Sequence, residues 1–188
     1  GHSYGGVITG LMAGKDPSRF DKCLLLDPVI FSKNMLNLMK AADMVGLLEN
    51  TKLAKTARKR NQHWPSRLEA FKALQGKGGF KNWSDEALHA YVSYALTESR
   101  DGVSLKCPAQ IEAKIYSTYP NQLWSYLKKI TVPCKILMAQ KSFPFIRDSV
   151  GKLSSHPAYS VDTIEGGHCF MQEQPSIAAQ QVKSWLLA

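Results

Sequence analysis

Long apolar runs are missing from this sequence, and acidic residues are scarce. No eighteen consecutive apolar residues occur, so no transmembrane helix is expected. The opening residues have neither a basic start nor an apolar h-region, and no secretory leader is expected there. The first residue is not Met and already lies inside a tight turn motif, so a processed chain or a fragment is expected. Cysteine is sparse: Cys23, Cys107, Cys134 and Cys169 stand far apart without a CxxC pair, which leaves a zinc site no sequence basis. Cys23 and Cys134 lie in apolar runs and read as buried, reduced thiols, which favours an intracellular compartment. Repeats and low-complexity tracts are absent.

Asp and Glu number 15 against 24 Lys and Arg, a formal net charge of +9. Much of the excess sits in Lys52-Leu-Ala-Lys55-Thr-Ala-Arg58-Lys59-Arg60. These cations recur at helical spacing among Ala and Leu, the pattern of a solvated helix face. No aromatic ladder or RNA-binding motif accompanies them, so no nucleic-acid partner is expected. With 188 residues, 44% of them hydrophobic, the chain can build a real core.

Residues 4–14 are rich in small side chains and read as a short helix packed closely on a sheet, stopped at Lys15-Asp16-Pro17. Lys22-Cys-Leu-Leu-Leu26 is a short, continuous apolar run ending at Asp27-Pro28, which predicts a buried parallel strand. From about Ile30 to Ile130 the character becomes helical. Ser66-Arg-Leu-Glu69 is a capping box, and Ser84 caps a helix expected over 85–96. Pro108 and Pro120 stand where helices can begin, and Asp101-Gly102 reads as a turn. Strand character returns at Val132–Ala139, followed by a helix over 145–153, a strand over 159–164 and a helix over 176–187. Strand and helix alternating around one large insertion predict an α/β parallel sheet with an inserted helical cap.

Gly1-His2-Ser3-Tyr4-Gly5 fits G-x-S-x-G, the nucleophile elbow, in which a sharp strand-to-helix turn lifts a serine hydroxyl to a helix N-terminus. The flanking glycines are expected to be required because a Cβ there would clash. Gly6 and the strand that follows strengthen the match. The motif Gly-His-Ser-Tyr-Gly-Gly resembles the elbow of the α/β-hydrolase superfamily, in its broad group of lipases and esterases. The resemblance covers the whole chain as the C-terminal part of that fold, starting at the elbow. It implies core segments at residues 1–29 and 131–188 and a helical cap at residues 30–130. Trp64-Pro-Ser-Arg67 and Asp101-Gly-Val-Ser-Leu-Lys-Cys107-Pro108 resemble a subgroup that includes toxin-biosynthesis and peroxisomal lipase-like proteins, although the chain ends Trp185-Leu-Leu-Ala188, without a Ser-Lys-Leu-type signal. A cytoplasmic or peroxisomal location is the expectation.

The family order is nucleophile, acid, histidine, with the histidine in the loop after the last strand. By that resemblance Ser3 is the nucleophile and His168, after Glu165-Gly166-Gly167, is the general base. His2 is expected to pack near the site, and His63, His89 and His156 read as surface or cap residues. Ser142 stands where most relatives carry the acid, and Asp148 nearby falls inside a predicted helix. Asp27, 24 residues after Ser3 and at the end of the strand following the elbow, is the assigned acid, as in haloalkane dehalogenases and pancreatic-type lipases. A strand-capping role is its alternative. The Tyr4 backbone N–H is one oxyanion donor by position, and its partner is expected on an earlier loop outside this chain. Trp64, Trp83 and Trp124 are candidates for an apolar acyl pocket, or for the cap's own core. The resemblance implies that a longer parent chain is a serine hydrolase acting on a small-molecule or lipid-like ester or thioester, with no metal or organic cofactor. A non-catalytic ligand-binding or degenerate protein on the same fold is the rival, favoured by Ser142 at the usual acid position, and an inactive fragment is the third alternative.

Overall fold

The computed structural model describes residues 1–188. From the N-terminus, α1 (Ser3–Lys15) leads into β1 (Cys23–Leu26), α2 (Lys33–Met44) and α3 (Lys52–Arg58). Next come β2 (His63–Trp64), α4 (Arg67–Leu74), α5 (Asp85–Tyr94), β3 (Leu96–Ser99), β4 (Gly102–Leu105) and α6 (Ala109–Tyr116). The chain closes with α7 (Leu123–Leu127), β5 (Cys134–Lys141), α8 (Pro144–Gly151), β6 (Tyr159–Gly167), α9 (Phe170–Glu173) and α10 (Pro175–Leu187). Two compact units result: residues 1–36 with 120–188, and residues 37–119. No helix is long and apolar enough to cross a membrane.

The first unit is built on a parallel sheet ordered β1-β5-β6. Cys23 pairs with Cys134 and Leu26 with Leu137, while Cys134 in turn pairs with Tyr159. Because alternate strand residues face opposite sides, the apolar runs supply two cores at once. Cys23, Leu25, Cys134, Ile136 and Met138 join Val7, Leu127 and Ile146 in one cluster. Leu24, Leu137, Ala139 and Ile164 join Phe170 and Ala178 in the other. Small residues let α1 approach closely. A Cβ on Gly10 would lie 2.8 Å from Leu127 Cδ2, and one on Gly14 would fall on the Tyr126 carbonyl.

The second unit holds five helices or parts of helices and an antiparallel sheet ordered β2-β4-β3, which the helical reading of this stretch did not include. Asp101 and Gly102 belong to the hairpin joining β3 and β4, not to a helix–helix turn. The hairpin escapes detection because each strand is four residues or shorter, too short to show a clear alternation of apolar and polar side chains. The expected caps are present: Ser66 accepts from Glu69 N at 3.1 Å and Ser84 from Ala87 N at 3.2 Å. The basic stretch forms α3, with Ala54 and Ala57 buried and Lys52, Lys55 and Arg58 in solvent. Trp64 is buried with Leu88, Val92 and Val103, and Trp83 stacks edge-on against Phe80 and Tyr91. Trp124 belongs to the first unit's core, its indole N–H donating to Phe31 O at 2.9 Å. All three tryptophans are therefore packing residues, and Trp124 also lines an open cavity of about 350 Å³ with Lys33, Asn34, Lys128 and Lys152.

Candidate active site

The C-terminal ends of β1, β5 and β6 and the N-terminus of α1 meet at one point, the place where open α/β sheets gather functional groups. Gly1 and His2 run parallel to β1: Leu26 N donates to Gly1 O at 2.8 Å and His2 bridges Leu26. The chain then turns sharply into α1, with Ser3 at φ 53°. A non-glycine residue in this left-handed region costs about 1–3 kcal/mol and persists only where its surroundings enforce it. Here Gly6 N donates to His2 O, and Val29 N to Ser3 O. The glycines contribute unequally. A Cβ on Gly1 would collide with Gly5 O and lie 2.5 Å from Thr9 Oγ1, and one on Gly6 would lie 3.0 Å from Pro28 Cβ. Gly5 has open space around it, so the expectation of a clash at both motif glycines holds for Gly1 and fails for Gly5. Gly6 is the second tight position.

Ser3, His168 and Asp27, more than 160 residues apart at the extremes, form a continuous hydrogen-bonded line. His168 Nε2 is 2.9 Å from Ser3 Oγ, and His168 Nδ1 is 2.6 Å from Asp27 Oδ2. A carboxylate only accepts, so Nδ1 carries the proton and Nε2 is left to receive the one on Ser3. Asp27 sits at the end of β1 in a left-handed conformation, φ 38°, and is completely buried. Its other oxygen, Oδ1, accepts the Ala139 N–H at 3.0 Å, and Ser142 donates its hydroxyl to Oδ2 at 2.9 Å. A buried charge requires such partners, and three donors surround this one. Asp148 is elsewhere, within α8.

Three further residues support this line. Ser142 was legible only as a missing acid; the structure makes it a donor to the acid on the neighbouring strand. It follows a register irregularity of β5 between Ala139 and Lys141, where a bulge re-aims the strand end. Glu173 had no sequence signal: its Oε2 accepts the Gly167 N–H at 2.8 Å. β6 continues through Glu165, Gly166 and Gly167, so His168 follows a strand directly, where a short glycine loop was expected. Gly166 has φ 119°, a conformation few other residues adopt. His2, expected near the site, donates from Nε2 to His168 O at 2.9 Å, with ring centres 4.8 Å apart. Burial holds its imidazole below the ordinary value. His63 and His89 are exposed; His156 packs on Tyr159 away from this point.

Tyr4 N lies in the first turn of α1, where backbone N–H groups have no intrahelical acceptor and face an incoming anion. His, Cys, Asp and Glu side chains nowhere gather in a group of three that could hold a metal ion.

No protein-family model and no curated protein matches the chain. Solved structures do. A peroxisomal α/β-hydrolase of Saccharomyces cerevisiae superposes with a TM-score of 0.75 at 19% identity, over 99% of this chain and 52% of that one. An esterase of M. tuberculosis gives 0.68 at 16% identity, over 100% of this chain and 61% of that one. The chain has the α/β-hydrolase fold. A thioesterase domain from the curacin biosynthetic pathway shares it, with a TM-score of 0.64 at 16% identity over 97% of this chain and 63% of that one. The chain thus spans between about half and two thirds of these α/β-hydrolases. Ser3 lies at the sharp turn into α1, and His168 directly follows β6.

Proposed function

We infer that this chain carries the catalytic residues of a serine hydrolase that cleaves carboxylic esters or thioesters of small or lipid-like molecules through an acyl-enzyme. The observation that carries this reading is the hydrogen-bonded line Ser3–His168–Asp27. Ser3 Oγ attacks the substrate carbonyl as His168 Nε2 takes its proton, because a serine hydroxyl is scarcely ionised at neutral pH. The tetrahedral intermediate's oxyanion lies toward the Tyr4 N–H. Collapse breaks the bond to the alcohol or thiol, which leaves with the proton from His168. Water then repeats the sequence: His168 deprotonates it, the acyl–Ser3 bond breaks, and acid and free Ser3 are released. Asp27 keeps Nδ1 protonated, orients the ring and balances the imidazolium formed at each step.

Ser142, at the position where an acid was expected, donates to Asp27, which supports Asp27 as the acid of this reading. The test is fluorophosphonate labelling followed by peptide mass spectrometry. Modification of Ser3 that disappears in His168→Ala is the expected result. Labelling equal to that of a heat-denatured sample would end the hydrolase reading.

A further inference from the structure

Three lysines converge on one cavity without a counter-charge. The cavity measures about 350 Å³, is open to solvent and is lined by Lys33, Asn34, Trp124, Lys128 and Lys152. All five belong to the first unit and come from three segments: the start of α2, α7 with the residue after it, and the residue after α8. No carboxylate lines the cavity, and none of the three ammonium groups makes an ion pair or hydrogen bond. Asp148, one turn before Lys152 on α8, forms no bond to it either.

Helix ends account for only part of this arrangement. Lys128 and Lys152 are the C-cap residues of α7 and α8, where the macrodipole favours a cation. Lys33 is the first residue of α2, the end at which a cation is disfavoured, and no acidic side chain occupies that first turn. Like charges gathered in this way repel one another unless an anion lies among them. Ser3, Asp27 and His168 do not line the cavity. Lys152 lies at the opposite end of α8 from Ser142, about 12 Å along an eight-residue helix.

We propose that this cavity binds a small phosphorylated anion, held by Lys33, Lys128 and Lys152 with the Asn34 amide as a further donor. An ammonium is a compact charge whose three donors can turn toward a tetrahedral oxyanion, and a phosphate monoester carries about −1.5 to −2 at pH 7. No arginine, whose planar fork grips a carboxylate with two parallel bonds, lines the cavity. The Trp124 N–H is already given to Phe31 O, so the indole contributes an apolar wall and no donor.

Calorimetric titration of the full chain with pyrophosphate, and with citrate as a carboxylate of similar charge, tests the site. Saturable binding of pyrophosphate is expected, at least about fivefold tighter than that of citrate and weakened by salt. Lys33→Gln/Lys152→Gln is expected to weaken it about tenfold, whereas Lys52→Gln/Lys55→Gln, which removes the same charge from α3, weakens it less than about twofold. Without ligand, the cavity variant is expected to melt no lower than the wild type, because repulsion is relieved. Ser3→Ala is expected to bind pyrophosphate as the wild type does, so the outcome does not depend on the hydrolase reading. Equal losses in the two double variants would make binding a property of net charge and overturn the site. Citrate binding as tight as that of pyrophosphate, or no saturation, overturns it too. Vesicles of phosphatidylcholine with about 20% phosphatidic acid then separate the two sources of phosphate. Co-sedimentation reversed by pyrophosphate assigns a lipid headgroup, and no co-sedimentation assigns a soluble anion.

Discussion

Ser142 and His168 share one oxygen of Asp27. The serine hydroxyl donates to Oδ2 at 2.9 Å and the imidazole Nδ1 to the same atom at 2.6 Å. The carboxylate reaches that oxygen from β1 while Ser142 reaches it from the end of β5, so two neighbouring strands jointly supply the acid end of the line.

This sharing makes the two positions unequal in a measurable way. Asp27→Asn is expected to lower kcat/KM by about 10⁴, the loss seen when a triad histidine is left with the wrong tautomer. Ser142→Ala removes one donor to a buried carboxylate that retains two others, and a loss of roughly tenfold is expected. Adding Ser142→Asp to Asp27→Asn supplies a carboxylate from the other strand and should recover part of the activity. Steady-state hydrolysis of an aryl ester by the three variants gives the order; a Ser142→Ala loss as large as that of Asp27→Asn would contradict it.

Glu173 should act on rate through position alone. Its bond to Gly167 N fixes the residue that precedes His168. Glu173→Ala strands that N–H and frees the turn, so kcat is expected to fall about tenfold with KM unchanged. Glu173→Gln keeps an acceptor oxygen and should recover most of the rate. If KM rises while kcat stays constant, Glu173 belongs to the substrate surface instead.

Stability should fall on mild acidification, with His2 as one cause. Burial lowers its affinity for a proton in the folded chain, while in the unfolded chain the ring protonates near pH 6.5. Below that pH the unfolded state holds more protons, so this part of the stability is complete above about pH 6.5 and is lost as pH falls through the lower folded value. Urea midpoints between pH 5 and pH 7.5 are expected to decline less steeply in His2→Asn than in the wild type. Parallel curves would assign the slope to other groups.

Two glycines of α1 should respond oppositely to the same change. Gly14→Ala drives a methyl into the Tyr126 carbonyl and is expected to destabilise by about 1–3 kcal/mol. Gly5→Ala meets open space in a helix and should stabilise by roughly 0.5–1 kcal/mol. Thermal unfolding of both variants measures this. A neutral Gly14→Ala would mean that α7 yields at that contact.

Some features are written in a few adjacent residues and were legible there. The sharp turn at Ser3 is one, because a left-handed serine at a close approach is a local steric condition that the missing Cβ of Gly1 and Gly6 permits. β1 and β5 are others: short, mainly apolar runs bounded by proline read as strands buried on both faces. The caps at Ser66 and Ser84 are similarly local, each bond closing within three residues. His168 and Asp27 were singled out through the resemblance, and the structure brings the two side chains within hydrogen-bond distance.

What only the tertiary structure decided depends on which distant surfaces meet. Ser142 was a gap until β5 lay beside β1 and set its hydroxyl against Asp27. Glu173 gained its role from the fold of α9 back onto β6. The tryptophans took the second of their two expected parts, since aromatic composition does not say which rings a core consumes. Trp64, Trp83 and Trp124 are taken into packing. Short-range sterics and hydrogen bonding determine the elements that place Ser3, His168 and Asp27. Long-range packing alone determines which side chains surround them.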